Sequence, residues 1–95
     1  MMSEQYAWLW DVEMDAATFE RCLHGERALG RFDADWALVR LLEYAPYREI
    51  RQLLPVQRFI RRWPDLAPRV RSAARREGTE FLRTWLMKEG RVDHE

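Results

Sequence analysis

Proline and glycine residues divide this chain into short segments, and this division limits the folds open to it. Gly25 follows the first helix-like segment, and Pro46, Pro55 and Pro64 interrupt the later ones at intervals of nine residues. Proline lacks a backbone N–H and seldom continues a helix, and glycine commonly ends one. Between these residues the apolar side chains recur with the period of a helix. The sequence therefore predicts several short helices.

The first two predicted helices begin after aspartates. Asp15 precedes a helix expected over residues 16–24, and Asp33 precedes one that ends near Tyr44. Aspartate is favoured at this position because its side chain accepts a hydrogen bond from a backbone N–H of the first turn. Apolar residues cover most of the circumference of the second helix, which predicts that this helix is the central one.

The other three helices are defined by the prolines. Pro46 suits the first turn of a third helix, and Pro55 starts a fourth that ends near Trp63. The segment 64–68 has a proline at each end and is expected to break the helix and turn the chain. A fifth helix is predicted over residues 69–88. Its apolar stripe is expected to contain Val70, Ala74, Gly78, Phe81 and Trp85, widened by Leu82 and Leu86.

Gly78 lies inside this predicted stripe. A glycine within a helix costs about 1 kcal/mol relative to alanine. Gly78 therefore either permits close contact with another helix or marks a break, with Thr79 starting a further helix. We expect the continuous helix.

The start of the chain has the period of an extended segment, because large side chains alternate there. A lone strand cannot satisfy its own backbone, so residues 1–14 are expected to lie as an extended strap across the helices. The alternative is pairing in a homodimer, which an uncovered Trp8 and Trp10 would also favour. Residues 89–95 are expected to form a flexible tail. Together these patterns predict one all-α domain over residues 1–95, a compact bundle of about five helices.

The chain has no net charge, but its two halves are oppositely charged. Residues 1–47 carry nine acidic side chains and four arginines, whereas residues 48–95 carry twelve basic and seven acidic side chains. The densest basic stretch, residues 58–76, contains one acid, Asp65. Its seven arginines, called the arginine set below, are Arg58, Arg61, Arg62, Arg69, Arg71, Arg75 and Arg76.

The arginine set is the predicted contact site for a partner protein or for phosphates. Helical spacing places Arg58, Arg61 and Arg62 on one outward face of the fourth helix. Arg71 and Arg75 flank the apolar stripe of the fifth helix, where pairing with a carboxylate of the first half is equally plausible. Nonspecific binding to nucleic-acid phosphates would weaken steeply with salt. The alternative for the whole set is a solvated face.

Residues 48–63 resemble a bacterial helix-turn-helix, with a short helix, a turn and a second helix ending in basic residues and tryptophan. Two features depart from that pattern. Arg51 stands where a small internal residue is usual, and Pro55 stands where the turn glycine is usual. The basic side chains after the turn suit phosphates better than base edges. A plain helical hairpin is therefore favoured, with DNA binding as the alternative.

Residues suited to catalysis or metal binding are few and scattered. Cys22 is the only cysteine, so an intrachain disulfide and a cysteine-based zinc site are excluded, and its apolar face predicts an inert thiol. His24 lies beside Glu20, and His94 lies in the predicted tail. Three acids before the first helix are expected to form a solvated loop with a cap: Asp11, Glu13 and Asp15. We predict no catalytic residue, no metal, no cofactor and no small-molecule substrate.

Membrane insertion and export are not expected. No apolar run approaches the ~20 residues of a membrane span. The first five residues lack the basic region and apolar core of a signal peptide. We therefore expect a cytoplasmic protein without membrane contact.

Residues 8–15 read Trp-Leu-Trp-Asp-Val-Glu-Met-Asp, and Asp35-Trp36 and Leu41-Leu42-Glu43-Tyr44 follow. This arrangement resembles small uncharacterised bacterial proteins that begin aromatic-Trp-Asp-Val-Asp and carry a helix before a Tyr-Gly or Tyr-Ala turn. Glu13 stands where that family usually has Asp. Its members often look like accessory or antitoxin-like partners of nucleotidyltransferase-type toxins. The resemblance covers roughly residues 8–54 and implies no catalytic residue.

The predicted function is therefore that of a small non-enzymatic bacterial interaction protein. It would bind a partner protein, or a second copy of itself, through charged helix faces. The alternative is a nucleic-acid-binding module that uses residues 58–76.

Overall fold

The computed structural model describes residues 5–89, and within them the chain forms an all-α bundle. Its five α-helices are α1 (Ala16–Leu23), α2 (Ala34–Tyr44), α3 (Tyr47–Leu53), α4 (Val56–Leu66) and α5 (Ala73–Lys88). Single turns of 3-10 helix cover Ala7–Leu9 and Ala67–Arg69. The predicted five-helix fold is confirmed. The predicted tail, including His94, lies outside the described residues, apart from Glu89.

Local capping explains why the first two helices begin where the sequence predicted. The side chain of Asp15 accepts a hydrogen bond from the backbone N–H of Thr18 at 2.8 Å, and Asp33 accepts one from Trp36 at 2.9 Å. Gly25 follows α1 with a φ of +76°, a left-handed conformation that glycine adopts without strain.

Helix α2 is the central element, as its apolar circumference predicted. It packs against α1, α4 and α5. Its side chains form the middle of the core together with residues of the other helices and of the N-terminal segment. The buried residues of α2 are Ala37, Leu38, Val39, Leu41 and Leu42.

Helix α4 does not end at Trp63, so the prediction of a break at residue 64 was wrong. The helix continues to Leu66 with Pro64 inside it. Pro64 lacks the N–H that would bond to the carbonyl of Ile60, four residues earlier. The guanidinium Nε of Arg83 donates to that carbonyl instead, at 3.2 Å. A donor from α5 therefore replaces the one that proline removes.

Helix α5 begins at Ala73 rather than Arg69, and it is continuous through Gly78. Ser72 accepts a hydrogen bond from the N–H of Arg75 at 3.2 Å and caps the helix. The predicted apolar stripe of α5 was right for Leu82 and Leu86, which pack on the core, and wrong for Phe81 and Trp85. Thr79 and Leu86 are buried, whereas Phe81 is 73% exposed and Trp85 37% exposed.

Of the predicted strap, residues 1–4 lie outside the described residues; residues 5–14 lie across the helices, but they are not regularly extended. Trp8 and Leu9 are buried, and Trp10 is 74% exposed, because one turn of 3-10 helix interrupts the alternation. The Trp8 ring stacks on Tyr6 with centroids 4.8 Å apart, and its Nε1 donates to Glu49 at 2.6 Å. This segment therefore ties α3 to the rest of the bundle.

None of the helices between residues 5 and 89 has the length and apolar character that crossing a bilayer requires.

Candidate partner-binding surface

Two arginines of α4 turn toward the first half of the chain. Arg62 donates to both carboxylate oxygens of Asp35, with Nε at 3.3 Å and Nη2 at 2.9 Å, and it also contacts Asp65 at 2.9 Å. The hydrogen bond to Asp35 raises the pKa of Arg62. Arg58 donates to the carbonyl of Leu23 at 2.5 Å and lies 3.8 Å from Asp35. Asp35 therefore neutralises part of the predicted outward face of α4.

Three arginines around the start of α5 make hydrogen bonds within the fold. Two of them donate from the guanidinium group to backbone carbonyls, and the third donates from its backbone N–H. Arg75 donates to the carbonyls of Leu42 and Ala45, at the C-terminal end of α2, and Arg76 donates to Val70 at 2.6 Å. Arg71 uses its backbone N–H, which donates to Glu43 at 2.8 Å. The basic half of the chain therefore meets the acidic half inside one molecule.

Arg61, Arg69 and Arg71 keep exposed side chains. Within residues 5–89, no carboxylate lies within salt-bridge distance of these three guanidinium groups. Only Arg61 belongs to α4, so the second helix of the helix-turn-helix-like segment presents one uncommitted arginine. The role of the arginine set in partner contact stays a prediction.

A groove between α3 and α5 is a concave surface that carries exposed aromatic residues. It consists of two depressions of about 470 and 140 Å³, and Leu82 contributes to both. We call it the α3–α5 groove. Its main lining residues are Tyr47, Ile50, Leu54, Gly78, Leu82 and Trp85.

Two aromatic side chains, Tyr47 and Trp85, line this groove, and a third, Phe81, lies near it by helical spacing. Tyr47 on α3 is 58% exposed. Phe81 lies three residues after Gly78 and four before Trp85, which places it on the same side of α5. Aromatic side chains exposed beside an apolar groove are typical of protein-binding surfaces.

Among the described residues, the charged side chains that line the groove and the hollow beside it are all arginines. Arg51 lines its narrower depression, and Arg48 and Arg51 line an adjoining hollow of about 390 Å³ with Tyr47. Of the carboxylates between residues 5 and 89, none lines any of these three depressions. The Arg51 guanidinium lies 5.9 Å from the centre of the Tyr47 ring. The α3 side of the groove is therefore basic.

The sequence reasoning missed this surface because it placed Phe81 and Trp85 in the core. A usable signal was present, since residues 75, 79, 82 and 86 also recur at helical spacing. This signal is weak because two of the inward positions hold a charged residue, Arg75, and a polar residue, Thr79.

Of the residues considered for chemistry, Asp11 and Glu20 bond to other side chains of the fold, and Cys22 is buried. Asp11 accepts two hydrogen bonds from Arg40, at 2.6 and 3.1 Å, and these lower its pKa. Glu20 accepts a hydrogen bond from the Tyr6 hydroxyl at 2.5 Å. Burial raises the pKa of the Cys22 thiol. Across residues 5–89, no three His, Cys, Asp or Glu side chains are grouped so that they could hold a metal ion.

Comparison with protein-family models, with curated proteins and with solved structures finds no match for this chain. The resemblance to antitoxin-like proteins stays a prediction.

Proposed function

We propose that this chain is a non-enzymatic protein-interaction module that binds a partner protein in the α3–α5 groove. The observation that carries the proposal is that the exposed rings of Tyr47 and Trp85 line the groove, while Phe81 is exposed one turn before Trp85 on α5. Large apolar side chains grouped around a groove are costly to leave in water and favour burial against a partner. An accessory role beside a toxin, as the sequence resemblance implies, is one form that such binding would take.

Energetics favour the groove over the arginine set as the main contact. Buried aromatic anchors commonly contribute about 2 kcal/mol or more to binding when truncated. Exposed ion pairs contribute less, about 1 kcal/mol or below. In addition, Arg58, Arg62 and Arg75 would have to break intramolecular bonds before they bound a partner. These three arginines therefore contribute to the stability of the fold, and the groove is the stronger candidate for partner contact.

Photo-cross-linking in the native host tests the proposal. A benzoylphenylalanine in place of Phe81 is expected to give an adduct with a second protein. The same probe in place of Trp85 is expected to give a weaker adduct when the chain also carries Phe81→Ala. The same probe at Arg21, which is exposed on α1, serves as the control. Equal adducts from positions 81 and 21, or none from 81, would contradict the proposal. An adduct with a second copy of the chain would replace it with self-association.

A second candidate function is nonspecific nucleic-acid binding. Arg61, Arg69 and Arg71 support it, since their guanidinium groups remain exposed. A mixed oligonucleotide should then shift the protein in a gel at low salt, and Arg61→Glu with Arg69→Glu should abolish the shift. Arg48→Glu, on the groove side, is the matched control. The absence of a shift at low salt would exclude this function.

A further inference from the structure

We infer that the α3–α5 groove binds an acidic amphipathic helix of another protein. This inference rests on the proposed function, because it names the kind of segment that the groove accepts. Three features support it: the length of the groove, the charge of its border and a glycine in its wall.

The length of the groove suits a helix of about four turns. Residues from Ser72 to Leu86 line it along α5. At 1.5 Å per residue this distance is roughly 21 Å, equal to about fourteen residues of a bound helix. The apolar wall residues Ile50, Leu54 and Leu82 can receive side chains that recur at three- and four-residue spacing.

The charge of the groove selects acidic segments. Arg48 and Arg51 border it on α3, and no carboxylate of the part of the chain that the structure describes lines it. A helix with carboxylates beside its apolar stripe would pair with these arginines, whereas a basic helix would be repelled. A second copy of this chain is a poorer occupant. If the same face of two copies met, Arg48 and Arg51 of each would find no lining carboxylate in the other.

Gly78 provides the third feature. A glycine within a helix costs about 1 kcal/mol, and its φ is not one that requires glycine. Apart from its chain neighbours and the adjacent backbone of α5, a Cβ at this position would meet no heavy atom of the described residues within 4 Å. Packing inside the molecule therefore does not explain the glycine. Close approach of a bound helix explains it, because the missing side chain leaves the backbone of α5 accessible.

Selection from a displayed peptide library tests the inference. The library contains random peptides of about sixteen residues, enough to fill the groove as a helix. The full chain is the target. Peptides that also bind the Gly78→Met variant are discarded, because they bind outside the groove. Gly78→Met fills the groove wall and replaces glycine with a better helix former, so this variant is expected to fold.

The expected peptides carry apolar residues at helical spacing flanked by Glu or Asp, and become helical on binding by circular dichroism. Arg51→Glu should weaken their binding by about tenfold or more, whereas Arg61→Glu should change it by less than about twofold. Basic or non-helical binders, equal binding to Gly78→Met, or no enriched peptide would each overturn the inference. If cross-linking at Phe81 still captures a protein in those cases, the proposed function stands without this occupant.

Discussion

The Nε of Arg83 donates a hydrogen bond of 3.2 Å to the carbonyl of Ile60, the group left without its helical partner by Pro64. This contact joins α5 to α4 at the position where α4 would otherwise be weakest. A helix-interior proline costs about 3 kcal/mol through its missing donor and its steric clash. An outside donor offsets the first of these two costs.

Removing the Arg83 donor should destabilise the fold. Arg83→Met keeps an apolar stem but leaves the Ile60 carbonyl unsatisfied, and we expect a loss of about 1 kcal/mol in the free energy of unfolding. The loss should shrink in a Pro64→Ala background, since alanine at that position restores the backbone donor. Urea unfolding of the four proteins in this double-mutant cycle measures the coupling. Equal losses in both backgrounds would show that Arg83 acts otherwise.

The sequence predicted the starts of α1 and α2 because a capping side chain lies three residues from the group that it bonds. It failed at the end of α4 because the compensating donor, Arg83, is nineteen residues from Pro64. The prediction for Phe81 and Trp85 failed for a related reason. Arg75 and Arg83 face inward to reach carbonyls of other helices, and hydrophobic periodicity carries no information about such bonds.

Arg75 should contribute to stability through the end of α2. Its Nη1 donates to the carbonyls of Leu42 and Ala45, at 3.2 and 2.7 Å. These groups lie at the C-terminal end of α2, where a cation is also favoured by the helix dipole. Arg75→Ala is expected to lower the free energy of unfolding by about 1–3 kcal/mol.

Arg71→Ala is the matched control for this change. Arg71 bonds to Glu43 through its backbone N–H, which alanine retains. Its substitution should alter stability by no more than about 0.5 kcal/mol. Equal losses from the two variants in thermal or urea unfolding would argue against a specific role for the Arg75 guanidinium.

The binding surface was harder to predict than the helices. The arginine set is dense in sequence, but whether each arginine is free depends on groups such as Asp35, which only the folded chain brings near. To predict the α3–α5 groove, one must know which side of α5 faces the core. Apolar spacing alone places Phe81 and Trp85 in the core, so the sequence does not predict the groove that they flank.

The Asp11–Arg40 pair should make stability depend on pH in acid. Hydrogen bonds from Arg40 lower the pKa of Asp11 below its unfolded value of about 3.9. The folded state therefore favours the charged carboxylate. The resulting stabilisation is complete above the unfolded pKa and is lost as the pH falls through the lowered folded pKa.

Comparison with Asp11→Asn isolates this contribution from that of other acids. The wild-type chain should be more stable than Asp11→Asn at pH 7, and the difference should shrink below about pH 4. In an Arg40→Met background the difference should be smaller at pH 7. Urea unfolding at several pH values provides the measurement, and a difference that grows in acid would contradict the assigned sign.

Gly78→Ala should stabilise the chain and weaken partner binding. Apart from its chain neighbours and the adjacent backbone of α5, the new methyl group meets no heavy atom of the described residues within 4 Å, and alanine is favoured over glycine in a helix by about 1 kcal/mol. The midpoint of thermal unfolding should therefore rise. The methyl group also projects into the α3–α5 groove, so the adduct formed through position 81 should decrease.

Thr84→Ala, at an exposed position on the same helix, is the control for general effects of substitution on α5. A stabilised Gly78→Ala protein that retains the full adduct would show that close approach at Gly78 is not needed for binding.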